Sequence, residues 1–446
     1  MNNTFFTAAG LATLMSICSS QQPSPGGDEE FTFEKVTISD QKGAAWLKPV
    51  DLDGDGFDEY LVTCLSEGLG FSFPPVGPGG AYILKRDGGL PTDGTLGTWS
   101  TRTQFSRWAN IGWPNISQLF DIDNDGIEDW VIGAGFIPKP EGRIVWMKGE
   151  LNDGALSFGE PQDLDVPEAG WYHEAIPVDL DDDGDTDFVT TNNATSIDGP
   201  GGSILEWFEN DGIEGVASFT RHFIAERGGT VIVAYDVDND GDEDLILPQF
   251  FEGDALIWME QTGVAGSAWV EHRIDNTTGK GFMVELADMN GDGQLDLLYG
   301  NHNHQDAEEL SERVMGLYWW EFPPAGEVAG LSDWSDYQHT VYEGFEVDKD
   351  DPVKYGAPGV FSTGDIDGDG DLDVTVSGDG DLGLYLLVQQ DPDTFDKVLV
   401  DYGVPNSGSQ FMTDLDGDGD QDIIWALYGE AGGLFPKSEV NAYLRN

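Results

Sequence analysis

The sequence predicts an all-β protein, a seven-bladed β-propeller of four-stranded blades. Three observations predict it. An acidic nine-residue motif recurs seven times, short apolar segments follow every copy, and a strand-like segment ahead of the first copy supplies what the last repeat lacks.

The motif copies are DLDGDGFDE (51–59), DIDNDGIED (121–129), DLDDDGDTD (179–187), DVDNDGDED (236–244), DMNGDGQLD (288–296), DIDGDGDLD (365–373) and DLDGDGDQD (414–422). Their starts lie 70, 58, 57, 52, 77 and 49 residues apart, the period of a repeat holding several strands. The segments directly after them are YLVTCL, WVIGAG, FVTTN, LILPQF, LLYGN, VTVSG and IIWAL. Later in the repeats come AYILK, RIVWMK, ILEWFE, LIWME, LYWWE, LYLLV and NAYLR. Short β-branched and aromatic runs between Gly-rich connections are strands. Several such strands per repeat of roughly 50 residues make a propeller blade.

Ring closure is legible too. Middle repeats end in a fourth strand, SFTRHFIA (218–225), AWVEHRI (268–274), YQHTVY (337–342) or FDKVLV (395–400), whereas the seventh stops at AYLRN. FTFEKVTIS (31–39) has the missing pattern, so the N-terminal segment is expected to complete the last blade and remove its open edge. Over roughly residues 31–446 the chain resembles the FG-GAP/VCBS-type repeats of integrin-α-like propellers. That resemblance implies one propeller domain whose motif loops bind Ca²⁺, and it implies no activity.

The loop chemistry is consistent with Ca²⁺. Oxygen ligands at positions 1, 3 and 5 can converge on one cation, Gly at 6 permits the sharp turn, and a carbonyl at 7 with a carboxylate at 9 completes the set. The expected ligands are Asp51, Asp53, Asp55 and Glu59; Asp121, Asp123, Asp125 and Asp129; Asp179, Asp181, Asp183 and Asp187; Asp236, Asp238, Asp240 and Asp244. The series continues with Asp288, Asn290, Asp292 and Asp296; Asp365, Asp367, Asp369 and Asp373; Asp414, Asp416, Asp418 and Asp422. An EF-hand needs Glu at position 12, and these loops hold Val62, Ile132, Thr190, Leu247, Tyr299, Val376 and Trp425 there. The windows contain 35 of the 84 acidic residues. Neighbouring carboxylates repel by on the order of 1 to 4 kcal/mol per pair near a surface, so a cation is expected to hold these turns. Up to seven structural Ca²⁺ follow, with the fifth loop, which has three acidic residues, the weakest.

With 20 basic against 84 acidic residues the net charge is −64, which excludes a nucleic-acid partner. The 39% hydrophobic content and 14 tryptophans support a packed core rather than disorder. Residues 1–18 read as an export signal, FFTAAGLATLMSIC being too short to span a bilayer, and 19–30 as a flexible tether. Cys18 closes the apolar run as in a lipoprotein signal, although MNNT lacks Lys and Arg and Ile17 is bulky before a lipidated cysteine. An exported protein, extracellular, periplasmic or anchored at a bacterial outer membrane, is expected. Cys64 then has no disulfide partner in the folded part and is expected in the core.

The face opposite the motif loops carries the unusual segments, among them FSRWANIGWPN (105–115), PEAGWYHE (167–174), GNHNHQDAEELSER (300–313) and GFEVDKDDPVKYGAP (344–358). Exposed aromatics there are expected to stack on sugars, while Trp146, Trp207, Trp258 and Trp319, recurring in strand three, are expected between blades. There is no GxSxG, HExxH or Walker loop. The leading expectation is a binding or adhesion module for polysaccharide or an extracellular protein. The alternative is a carbohydrate-active enzyme, a polysaccharide lyase or sugar dehydratase. Its candidate residues, by location, are Tyr172, His173, His302, His304, Arg313 and Tyr355, with His302, His304 and Asp306 spaced as ligands for a transition metal.

Overall fold

A strand buried on both sides must be apolar at successive positions, and the segment after each motif meets that demand. The computed structural model describes residues 31–446 apart from 66–77, 90, 92–93, 137–138, 167–170, 194–202, 251–254, 264–265, 302–314, 346–356, 380–382, 403–406 and 428–438. The expected signal (1–18) and tether (19–30), and His302, His304, Asp306, Arg313 and Tyr355, lie outside the described residues.

Among the described residues the strands group into seven antiparallel blades of four strands, five of them separate sheets and blades 2 and 3 joined into one nine-stranded sheet. Blade 1 runs Ala44–Val50, Glu59–Cys64, Gly80–Asp87 and Thr98–Phe105. Blade 2 is Pro114–Phe120, Asp129–Phe136, Lys139–Met147 and the short Gln162–Asp163. Blade 3 is Ile176–Val178, Asp187–Asn193, Ile204–Asn210 and Phe219–Ala225. Blade 4 is Val233–Tyr235, Asp244–Pro248, Leu256–Gln261 and Trp269–Asp275. Blade 5 is Gly281–Ala287, Asp296–Asn301, Gly316–Trp320 and Gln338–Glu343. Blade 6 is Ala357–Gly364, Asp373–Asp379, Gly383–Asp391 and Thr394–Tyr402. Blade 7 is Ser407–Thr413, Asp422–Leu427, Glu439–Arg445 and the N-terminal strand Phe33–Ser39. That last strand pairs antiparallel with Glu439–Arg445, from Phe33 opposite Arg445 to Ser39 opposite Val440, as the sequence predicts.

The core is divided into layers between blades. Strand two alternates its side chains: Tyr60, Val62 and Cys64 pack toward blade 7, while Leu61 packs toward blade 2. The same logic produces one apolar layer between each successive pair of blades, and a seventh joins blade 7 to blade 1. An open row of seven blades would have six such layers. The first strands also touch in cyclic order, with Ser407–Thr413 meeting both Ala357–Gly364 and Ala44–Val50. Trp146, Trp207, Trp258 and Trp319 all lie in these layers. Three of them stack on a histidine of the outer strand: Trp207 on His222, Trp258 on His272 and Trp319 on His339, at centroid distances of 4.0 to 4.5 Å.

Two features depart from regular blades. The two-residue strand Trp171–Tyr172 pairs with Gly135 of blade 2 and with Asn192 and Asn193 of blade 3, bridging neighbouring sheets. A hairpin, Gly149–Asn152 and Ala155–Phe158, projects from blade 2 over blade 1, where Leu156 donates its N–H to the Leu52 carbonyl at 2.6 Å.

Removing residues 31–39 should expose the edge of Glu439–Arg445. The expected loss is several kcal/mol, a fall in Tm on the order of 5–10 °C with concentration-dependent self-association, read by calorimetry and light scattering.

Candidate functional site

Each acidic motif is the hairpin connection between strands one and two of its blade, so all seven loops share one face. Their backbone repeats closely. Position 4 (Gly54, Asn124, Asp182, Asn239, Gly291, Gly368, Gly417) has φ between 57° and 78°, and the glycine at position 6 has φ between 85° and 103°. Only Gly, Asn and Asp adopt that region readily, so two left-handed residues curl the loop inward.

Hydrogen bonds hold the curl. In six of the loops the Oδ2 atom of position 1 accepts the N–H of the position-6 glycine, as Asp51 does from Gly56 at 2.9 Å. In all seven, one oxygen of position 5 accepts the N–H of position 7, as in Asp55 with Phe57. The carboxylate at position 9 is buried and accepts the N–H of position 2 in every loop, at 2.8 to 3.2 Å. Its other oxygen accepts a strand-three N–H in blades 3, 4, 6 and 7 (Asn210, Gln261, Gln389, Arg445) and, in blade 2, the N–H of Gly149 at the start of the projecting hairpin.

Two recurrent features escaped the reading of the motif. Position 2 (Leu52, Ile122, Leu180, Val237, Met289, Ile366, Leu415) is always apolar and plugs the layer toward the next blade. Its carbonyl then accepts a side chain from that next blade: Asn210 on Ile122, Gln261 on Leu180, Gln389 on Met289 and Arg445 on Ile366. Four of the seven neighbouring blade pairs are thereby linked at their loops. The unbroken apolar series at position 2 was the available signal.

The carboxylates at positions 1, 3 and 9 offer oxygens within 4.8 Å of one another in blades 1, 2, 3, 4 and 6. Buried Oδ1 atoms of Asp123 and Asp179 have no hydrogen-bond partner. A hard divalent cation fits this oxygen-only, like-charged cradle. The electrostatics agree. Burial raises the position-9 acids Asp129, Asp244, Asp296, Asp373 and Asp422 to about 7 and Asp187 to about 6. At position 3, burial and then the adjacent carboxylate raise Asp181, Asp238 and Asp367.

Residues 236–299, spanning two consecutive motif loops, match the profile of the FG-GAP-like repeat. That stretch of the propeller is an FG-GAP-like repeat. No curated protein matches the sequence significantly. Among solved structures, it is similar to the Penicillium chrysogenum alpha-L-arabinanase complexed with arabinobiose, at 12% identity, 93% coverage of this chain, 98% of that one and a TM-score of 0.43.

The opposite face of the propeller begins at the N-terminal ends of the first strands. Trp46 of blade 1 and Phe282 of blade 5 stack with centroids 6.3 Å apart. Those blades are not neighbours in the ring, so this contact crosses its axis. His173 packs on Trp171 (4.0 Å) and against Phe282 (5.4 Å), and Phe250 joins them at 6.0 Å. Burial pushes His173 down to about 3, leaving a neutral ring. Tyr172, expected beside it, points instead into the layer between blades 2 and 3 with Phe188 and Phe208, where burial raises it to about 12. Successive residues of a strand face opposite sides, and this separates the pair.

Deeper along the axis, Gln118 accepts from Lys48 at 3.2 Å and donates to Glu174 at 3.4 Å, while Glu174 also accepts the Ile232 N–H at 3.0 Å. Burial raises Glu174 to about 7 and lowers Lys48. Toward the rim, a single turn at Arg107–Ala109 presents Trp108, 82% exposed, with the Arg107 guanidinium 4.9 Å from its ring centroid.

In chelator, the loop acids bind more protons in the fold than in the unfolded chain between about pH 4 and 7. Their contribution is therefore present below pH 4 and lost as pH rises through 7. Tm in chelator is expected to be higher at pH 5.5 than at pH 8, and the gain from added divalent cation to grow over the same interval, by scanning fluorimetry.

Proposed function

We propose that the chain is an exported, Ca²⁺-stabilised propeller that binds a polysaccharide across the face opposite its acidic loops. The observation that carries this reading is Trp108. A fully presented indole is costly to leave in water, and its face stacks well on the C–H side of a sugar ring. Arg107 beside it supplies a planar donor group for hydroxyls or carboxylates. Ca²⁺ is favoured over Mg²⁺ because the loops offer many oxygens in a flexible turn rather than a rigid octahedron. Export is supported by the apolar run 5–18 and by acidity suited to a solvated surface.

A second reading, a carbohydrate-active enzyme, is favoured by the axial group Lys48, Gln118 and Glu174. A carboxyl raised to about 7 stands near the protonation balance needed for general acid or base work.

Trp108→Ala should weaken binding to its polysaccharide at least about tenfold on a glycan array without lowering Tm, since the ring is exposed. Retained affinity in this variant, or absence of binding to any polymer in Ca²⁺, overturns the binding reading. For the second reading, Glu174→Gln is expected to abolish product release from a polysaccharide while leaving binding intact; equal product release from both proteins removes it.

A further inference from the structure

The acidic loops repeat, but the strand-three residue beside them does not. The register pairs Tyr60 with Leu84, Trp130 with Met147, Phe188 with Phe208, Leu245 with Met259, Leu297 with Trp320, Val374 with Leu387 and Ile423 with Tyr443. One residue further along strand three, beside the position-9 carboxylate, stand Lys85, Lys148, Glu209, Glu260, Glu321, Val388 and Leu444. Three kinds of neighbour therefore meet one kind of loop.

In blade 1 the Lys85 ammonium bonds Asp53 and, at 2.9 Å, Glu59, the third and ninth positions. In blade 2 the Lys148 ammonium bonds Asp123 and, at 2.6 Å, Asp125, the third and fifth. These are oxygens that a divalent cation would take. An ammonium held among them supplies the positive charge that keeps the carboxylates together, and it repels a second cation from the same cradle. Blades 3 to 5 place a carboxylate there instead. Glu209 meets His222 and Glu260 meets His272, each at 2.6 Å, and both glutamates add to the negative field at the loop. Blades 6 and 7 offer an aliphatic side chain.

We propose that Lys85 and Lys148 stand in for the metal in blades 1 and 2, so that loops 51–59 and 121–129 stay ordered without it while the other five depend on it. This rests on the Ca²⁺ reading above and divides its sites into two classes. The consequence is a built-in starting segment: the blades that carry Trp108 between them keep their loops when Ca²⁺ is scarce. The blade-2 loop is the more demanding case, because Lys148 leaves Asp123 Oδ1 without a partner.

The test is hydrogen exchange by mass spectrometry on the full chain, in Ca²⁺ and in chelator, below the Tm of both states. Peptides covering 51–59 and 121–129 should keep their protection within about twofold, and those covering the other five loops should exchange at least about tenfold faster in chelator. Lys85→Met and Lys148→Met should each make its own loop chelator-sensitive. Equilibrium dialysis of the unaltered chain provides a measurement that does not depend on variants folding: about five tightly bound Ca²⁺ per chain are expected, rising toward seven in the double variant. Loops 1 and 2 responding like the rest, or seven equivalent ions in the unaltered chain, overturns the proposal while leaving the Ca²⁺ reading standing. If no loop responds and no Ca²⁺ binds, both fall together.

Discussion

A buried carboxylate at the ninth motif position is the contact on which the rest of this architecture depends. It accepts the N–H of position 2 in every blade, and in four blades it also accepts an N–H from strand three, with Gly149 of the hairpin taking that place in blade 2. One side chain thus fixes the loop, the start of strand two and the end of strand three. Burying an acid is unfavourable unless it is well hydrogen-bonded, and here nearly all of the compensation comes from backbone donors. The same carboxylate is the inner wall of an oxygen cradle that could hold a cation, so the geometry of the loop and of the cradle are set by the same atoms.

The network extends beyond single blades. The apolar residue at position 2 is pinned by that carboxylate, fills the next inter-blade layer and offers its carbonyl to a side chain of the following blade. A loop that opens would therefore disturb a hydrophobic layer and a hydrogen bond to its neighbour. Strand Phe33–Ser39 pairs with Glu439–Arg445, and apolar layers pack each blade between its two neighbours, which limits how far any blade can relax sideways. The cost of so much negative charge on one face is local, and it is met locally, by a lysine in two blades and by oxygen cradles suited to a divalent cation in the others. The opposite face presents Trp108 and the axial aromatics Trp46 and Phe282.

Particular residues show how far a linear reading reached. The ligands Asp51, Asp53 and Glu59, and their counterparts in blades 2, 3, 4 and 6, were legible because fixed spacing within a tight turn forces convergence. Phe33–Ser39 was legible because an unpaired edge must be satisfied. Trp207 and Trp258 were legible because they recur at one point of a repeating unit. Lys85 and Lys148 were not: they sit 26 and 19 residues after the ninth position of their own loops, and only strand pairing brings them back. Tyr172 and His173 illustrate the opposite failure, adjacent in the chain but directed into different environments by the pleat.

By itself, then, the amino-acid order determined the repeat, the strand grammar, the number of blades and the chemistry of the acidic turns, because each of these is a short-range property that period and residue type encode. The tertiary structure decided which side chains meet across the ring: Trp46 with Phe282, Lys48 with Glu174 through Gln118, and each lysine with its loop. Those contacts depend on blade order, on the register of strand three and on the radius at which seven layers close. No local pattern records such quantities, since they emerge only when the whole ring is packed.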